Sequence, residues 1–173
     1  MIKKILIGIG VIFVVLIIIG MASGGSKSEP TKVSDNNTSN TQVKEQPKEY
    51  KTGDVVKLGD RQFTVNSVKR QKSIGYSTAK SGKEYAVVNV TIQNQGKDEV
   101  SFNTFDFKIQ DVNGAQTSAD ASSYSLEDSL NSGTLAPNGK ITGSLAFEVP
   151  EGTDAKLLFQ PSFWSNDRIV VAL

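Results

Sequence analysis

The stretch 82-GKEYAVVNVTIQNQGKDEV-100 decides the fold. Between Glu84 and Asn94, Ala86, Val88, Val90 and Ile92 fall on one side of an extended chain, with Asn89, Thr91 and Gln93 on the other. Successive side chains of a strand point to opposite faces, so a period of two predicts a strand with a core face and a solvated face. Asn94-Gln95-Gly96 stops the pattern with residues that favour turns.

The same period recurs on both sides. In "FDFKIQD", Phe105, Phe107 and Ile109 alternate with Asp106, Lys108 and Gln110. In "KITGSLAFEVP", Ile141, Leu145, Phe147 and Val149 share a face with Gly143, where a bulge or a close backbone approach is expected. "RQFTVNSVKR" starts in alternation at Phe63 and Val65 and slips at Ser67-Val68, which predicts another bulge. "KLLFQ" and "RIVVAL" add two short strands. Gly59-Asp60, Asn113-Gly114, Pro137-Asn138-Gly139, Glu151-Gly152 and Ser165-Asn166 read as the turns between them. About seven or eight short antiparallel strands, each with one polar face, predict an all-β fold, an immunoglobulin-like β-sandwich. A helical turn is expected only at "SLEDSL", with Ser125 as its cap and Asp128 at the third position.

Upstream the pattern changes twice. After Lys3 and Lys4, 18 uncharged and almost wholly apolar residues run from Ile5 to Ala22. As a helix rising about 1.5 Å per residue they cover roughly 27 Å, close to a hydrocarbon core of about 30 Å. Residues 1–22 are therefore expected to form a single membrane-spanning anchor, with Lys3 and Lys4 cytoplasmic and the rest of the chain outside. The alternative is a secretory signal cleaved near Ala22, for which Gly20-Met21-Ala22 offers small residues. Residues 23–49 hold two sizeable apolar side chains, Val33 and Val43, and no aromatic before Tyr50. Too little apolar surface is present to offset the ordering entropy, so this segment is expected to be a disordered polar linker. Residues 50–173 then form the sandwich, large enough for one self-sufficient core.

Composition excludes much chemistry. Lys and Arg number 19 against 18 Asp and Glu, so no global basic field or binding motif points to nucleic acid. Cysteine is absent, which removes disulfides, a thiol nucleophile, zinc–cysteine sites and lipid attachment at a cysteine. Histidine is absent too, and with it the commonest general base and metal ligand. No catalytic, cofactor-binding or metal site is expected.

Three stretches resemble a known family. "GDVVKLGDRQFTVNSV", "GKEYAVVNVTIQNQGKDEVSFNTFDFKIQDVNG" and "TLAPNGKITGSLAFEVPEG" are similar to the immunoglobulin-type, telokin-like domain of Gram-positive surface lipoproteins, domain of unknown function 4352. The likeness covers most of residues 50–173, and L-x-P-x-G-K…G-x-x-x-F-E-V-P is its most specific part. It implies a fold and a surface location and no catalytic residue. Members of that family are often anchored through a lipidated cysteine; this chain has none, so lipidation is not carried over.

Candidate sites compete with plainer readings. Lys69, Arg70, Lys72, Lys80 and Lys83 occur with no acid before Glu84, a basic loop that could touch an anionic wall polymer, a lipid headgroup or a surface protein. Tyr76 in it could stack on a sugar or a partner side chain; a solvated hairpin is the plainer reading. Val112 to Gly139 is a long crossover in which Tyr124, Leu126 and Leu130 are candidate packing residues. Its carboxylates Asp120, Glu127 and Asp128 match no calcium-loop spacing, and "DVNG" has its glycine too early for an EF-hand. Asp54, Asp60, Glu148, Glu151 and Asp154 are the carboxylates from which a hydrolase pair would have to come. Phe163-Trp164 reads either as an exposed anchor or as packing. The combined expectation is a non-catalytic, extracytoplasmic binding domain. The alternatives are a passive structural or sensory accessory of a membrane complex, or a carboxylate hydrolase.

Overall fold

The computed structural model describes residues 30–32, 48–162 and 166–173. The expected membrane span at 5–22, most of the linker and the Phe163-Trp164 pair lie outside the described residues. No helix among the described residues is long and apolar enough to cross a membrane.

The strands are β1 (Thr31–Lys32), β2 (Glu49–Lys51), β3 (Val55–Leu58), β4 (Arg61–Gln71), β5 (Ser73–Ile74), β6 (Ser77–Thr78) and β7 (Lys83–Asn94). They continue as β8 (Val100–Phe102), β9 (Phe107–Asp111), β10 (Gln116–Ser118), β11 (Gly133–Leu135), β12 (Lys140–Pro150), β13 (Ala155–Phe159) and β14 (Ile169–Ala172). Two five-stranded sheets, ordered β1-β3-β4-β7-β12 and β10-β9-β13-β14-β2, face each other across the core, with small ladders β8-β11 and β5-β6 beside them. Among the described strands every ladder is antiparallel except β2 against β14, and an isolated parallel bridge joins Ser129 to Ser144 of β12.

The opening stretch forms β7, hydrogen-bonded to β4 on one side and β12 on the other. Its alternation holds: Ala86, Val88, Val90 and Ile92 are completely buried in the main core. Opposite them lie Phe63 and Val65 of β4 and Leu145 and Phe147 of β12. Phe63 crosses to the second sheet and stacks on Phe159 at 4.7 Å between ring centroids, and Phe159 stacks on Phe107 at 4.8 Å. Burying a side chain of this kind stabilises by about 1.5–3 kcal/mol, so this aromatic stack is a main tie between the sheets.

The bulge in β4 falls one residue earlier than the sequence pattern placed it. Val65 pairs with Val90 and Ser67 with Asn89, so Asn66 is the extra residue. Its amide bonds Asn89 Oδ1 at 2.7 Å and Thr91 Oγ1 at 2.9 Å, which satisfies the side chain that the bulge displaces. In β12 there is no bulge, for Lys140 to Pro150 stay in unbroken register with β7. Gly143 serves a close approach instead.

The outer face of β7 is wet at Asn89, Thr91 and Gln93 but covered at the other end. Tyr85, Val87 and Ala146 form a second buried cluster with Ile74, packed by Ala79 and Leu126. The alternation of β7 could not reveal this lid, because β5-β6 and the crossover supply it from elsewhere in the chain.

A candidate aromatic binding concavity

The edge of the first sheet is β12, and the crossover from Asp120 to Leu130 is stitched along it. Asp120 N–H donates to Ala146 O at 2.7 Å, Ser144 N–H to Asp128 O at 2.7 Å, and Leu130 N–H to Ser144 O at 2.9 Å. Ser123 Oγ accepts from Ala146 N–H at 2.9 Å. An edge strand left open invites pairing with other chains, and this one is occupied by its own crossover along its middle.

Two short 3-10 turns flank that seam. The first, Thr104–Asp106, has a capping box: Asn103 Oδ1 accepts from Phe105 N–H and Asp106 Oδ2 from Asn103 N–H, both at 2.9 Å. The sequence pattern had Phe105 as the first inward residue of a strand. The strand starts at Phe107 instead, because the cap reverses the facing of the two residues before it. Asp106 is buried and the Phe105 ring stands 67% exposed. Burial pushes the Asp106 carboxyl above its ordinary range, opposed by the Asn103 N–H and the charge of Arg61.

The second turn, Ala121–Ser125, is capped by Asp120, whose Oδ1 accepts from Ser122 N–H at 2.8 Å. Ser125, expected as a cap, is the last residue of this turn. Of the three residues expected to pack, Leu130 is core and Leu126 partly buried, but Tyr124 is 69% exposed. Phe105 and Tyr124 thus stand on separately capped turns and line one concavity of about 190 Å³. Leu130 and Leu145 line it from the core side, and Asp120 is the only charged residue among the described residues lining it. The legible signal for this site was Asn103-x-x-Asp106, a capping box placed just before an apolar alternation.

The five basic residues do not all share one face of the first sheet. Lys69 and Arg70 are consecutive in β4, so they point to opposite sides. Arg70 meets Glu84 at 3.5 Å and donates to Thr153 O at 3.3 Å. Lys72 pairs with Glu151. Lys80 and Lys83 both reach Glu148, at 3.2 and 3.5 Å. Lys69 makes no ion pair with a described residue, and lines a polar groove with Asn89, Ser144 and Asp128. Tyr76 is fully exposed in the connection between β5 and β6.

Two of the candidate hydrolase carboxylates, Glu148 and Asp54, are shifted away from acid catalysis. Glu148 is held below its ordinary range, first by the Lys80 backbone N–H and then by the Lys80 side chain. Asp54 is held down by Lys32 at 2.8 Å and by the Lys51 backbone N–H. A general acid needs the opposite shift. Asp128 accepts from Asn89 and Ser144, and Asp120 serves as a cap, so these two of the three crossover carboxylates are engaged in structure. Among the described residues, no group of three or more His, Cys, Asp or Glu side chains is placed to hold a metal ion.

Comparison with known proteins agrees with this architecture. The chain is 31% identical over 117 residues to the uncharacterised lipoprotein YjhA of Bacillus subtilis (strain 168), covering 60% of this chain and 54% of YjhA. It therefore spans about half the length of that relative. It is 32% identical over 138 residues to the uncharacterised protein YxkC of the same organism, covering 73% of this chain and 76% of YxkC. The crystal structure of the B. subtilis yjhA protein superposes with a TM-score of 0.57 at 24% identity, over 72% of this chain and 98% of that one, which shows the shared fold. Residues 50–169 match the family model described as domain of unknown function (DUF4352), and the chain belongs to that family.

Proposed function

We propose that the chain is a membrane-anchored, extracytoplasmic β-sandwich that binds a ligand or partner non-catalytically through the concavity between Phe105 and Tyr124. The observation that carries this reading is the exposure of two aromatic rings, 67% and 69%, on the rim of one hollow. Single exposed apolar side chains are ordinary, whereas a pair converging on an apolar-floored hollow marks an interaction site. A passive spacer has no use for two rings held outward by separate caps. The basic residues support an anionic-surface contact less well, because four of the five face a carboxylate. Surface placement is supported by the apolar run at 5–22 and by YjhA's description as a lipoprotein.

Cross-linking of the intact protein on living cells tests the reading. The double variant Phe105→Ala/Tyr124→Ala should lose the cross-linked species that the wild type and Tyr76→Ala both give, with membrane levels unchanged. Equal cross-linking by all three proteins would sink it.

A further inference from the structure

We infer that the concavity between Phe105 and Tyr124 takes a small quaternary ammonium molecule, with the Asp120 carboxylate as its counter-charge. The inference rests on the binding reading above and names the chemistry of the ligand. At about 190 Å³ the hollow is smaller than the roughly 300–1,000 Å³ of sites for drug-sized ligands, so it suits one compact group rather than a polymer. Asp120, the only charged residue among the described residues lining it, gives the lining one negative charge. The faces of Phe and Tyr rings attract cations in addition.

The floor decides between kinds of cation. A primary ammonium carries three N–H donors; Asp120 and the Thr104 hydroxyl on the lining can meet some of them, but the floor of Leu130 and Leu145 offers no acceptor for the rest. The nearby Ser123 hydroxyl is already engaged, accepting from Ala146 N–H and donating to Ala146 O. Burying unmatched donors is unfavourable. A quaternary ammonium has no N–H to satisfy. Its methyl groups pack on the two leucines, while its spread charge faces the rings and the carboxylate.

Ligand-observed saturation-transfer NMR on the full chain in a non-ionic maltoside micelle tests this, with choline and its neutral carbon isostere 3,3-dimethylbutan-1-ol as probes. Choline should bind about fivefold or more tightly than the isostere, the ratio a single cation–aromatic contact supplies. Asp120→Asn keeps an oxygen for the Ser122 N–H, so it removes the charge without removing the cap. It should reduce the preference for choline to the part the two rings supply and leave the isostere unaffected. Tyr124→Ala should weaken both probes. Phosphocholine adds a phosphate beside Asp120 and should bind less well than choline; tighter binding would reassign the site from a free solute to a headgroup. Equal binding of choline and isostere, insensitive to Asp120→Asn, overturns the ammonium assignment. So does binding of neither probe. In both cases the binding reading survives if cellular cross-linking still depends on Phe105 and Tyr124, and falls with it otherwise.

Discussion

Gly143 lies directly against Leu130: a β-carbon at Gly143 would stand 2.9 Å from Leu130 Cα and 3.0 Å from its nitrogen. The contact is with backbone, which cannot swing aside as a flexible side chain would. It lets the crossover lie flat on β12 and holds the Leu130 side chain in the core.

Gly143→Ala should therefore destabilise the protein by about 1–3 kcal/mol, the usual cost of overpacking. Amide hydrogen exchange should quicken most at Leu130 and Ser144, whose backbone groups bond across this seam. Unchanged stability with unchanged protection at those amides would show that the seam does not depend on the glycine.

The two faces of β7, with Phe159 of β13 packed across the core from it, give a second prediction. Val90→Ala or Phe159→Ala should cost about 2–5 kcal/mol, since each leaves a cavity in a filled core. Thr91→Ala loses two exposed hydroxyl contacts, with Thr142 and with the Asn66 amide, and should cost about 1 kcal/mol or less. Denaturant melts of the three variants check this, and equal costs would mean the core face is misassigned.

How far the sequence was legible follows from the range of the forces involved. The alternation in β7 and β12 is local and strong, and the structure puts the expected inward residues of both strands in the core, with Ile141 partly buried at its margin. Phe105 failed because a four-residue cap, also local, competes with the alternation and wins at the strand's first position. Tyr85 and Val87 were unreadable from β7 alone, since their cover comes from Ile74 and Leu126. The pairing of Lys80 and Lys83 with Glu148 spans more than sixty residues of sequence, and only the β7–β12 register brings them together. Pro30–Lys32, within the segment expected to be a disordered linker, lies on β3, with the Tyr50 hydroxyl donating to Pro30 O at 2.6 Å.

Asp106 supplies a pH prediction. Its carboxyl is raised by burial, so the folded state disfavours its charge, and the penalty present above the folded-state value is relieved as pH falls through it. Asp106→Asn keeps an acceptor for Asn103 N–H but carries no charge. The variant should be the more stable protein at pH 7, and the gap in melting temperature should close as pH falls towards 3.5. A gap independent of pH would show that burial does not set the charge cost at this site. Asp54 and Glu148 act oppositely in both proteins, for their lowered values contribute stability that is lost as pH falls through them.

The ion pairs around β7 make the last prediction, which concerns contact with an anionic surface. Because Glu84, Glu148 and Glu151 lie against four of the five bases, the wild-type region carries a formal charge of +2 rather than +5. Glu148→Gln/Glu151→Gln frees Lys72, Lys80 and Lys83 of their partners, leaving Arg70 with Glu84. The full chain in non-ionic detergent should then bind a polyphosphate probe more tightly than the wild type at low salt. The gain should vanish near 1 M salt, where the Debye length falls to about 3 Å from about 10 Å at 0.1 M. Lys69→Gln, which breaks no ion pair described here, should reduce the wild type's own weak binding and shift stability by less than about 0.5 kcal/mol. Arg70→Gln should lower stability more, since it leaves a Glu84 side chain only 13% exposed with the Gly152 N–H but no cation, and removes the donor to Thr153 O. If the wild type already binds polyphosphate as tightly as the doubly neutralised variant, the carboxylates do not mask the bases, and the case for an anionic contact through Lys69, Arg70, Lys72, Lys80 and Lys83 gains what the aromatic hollow loses.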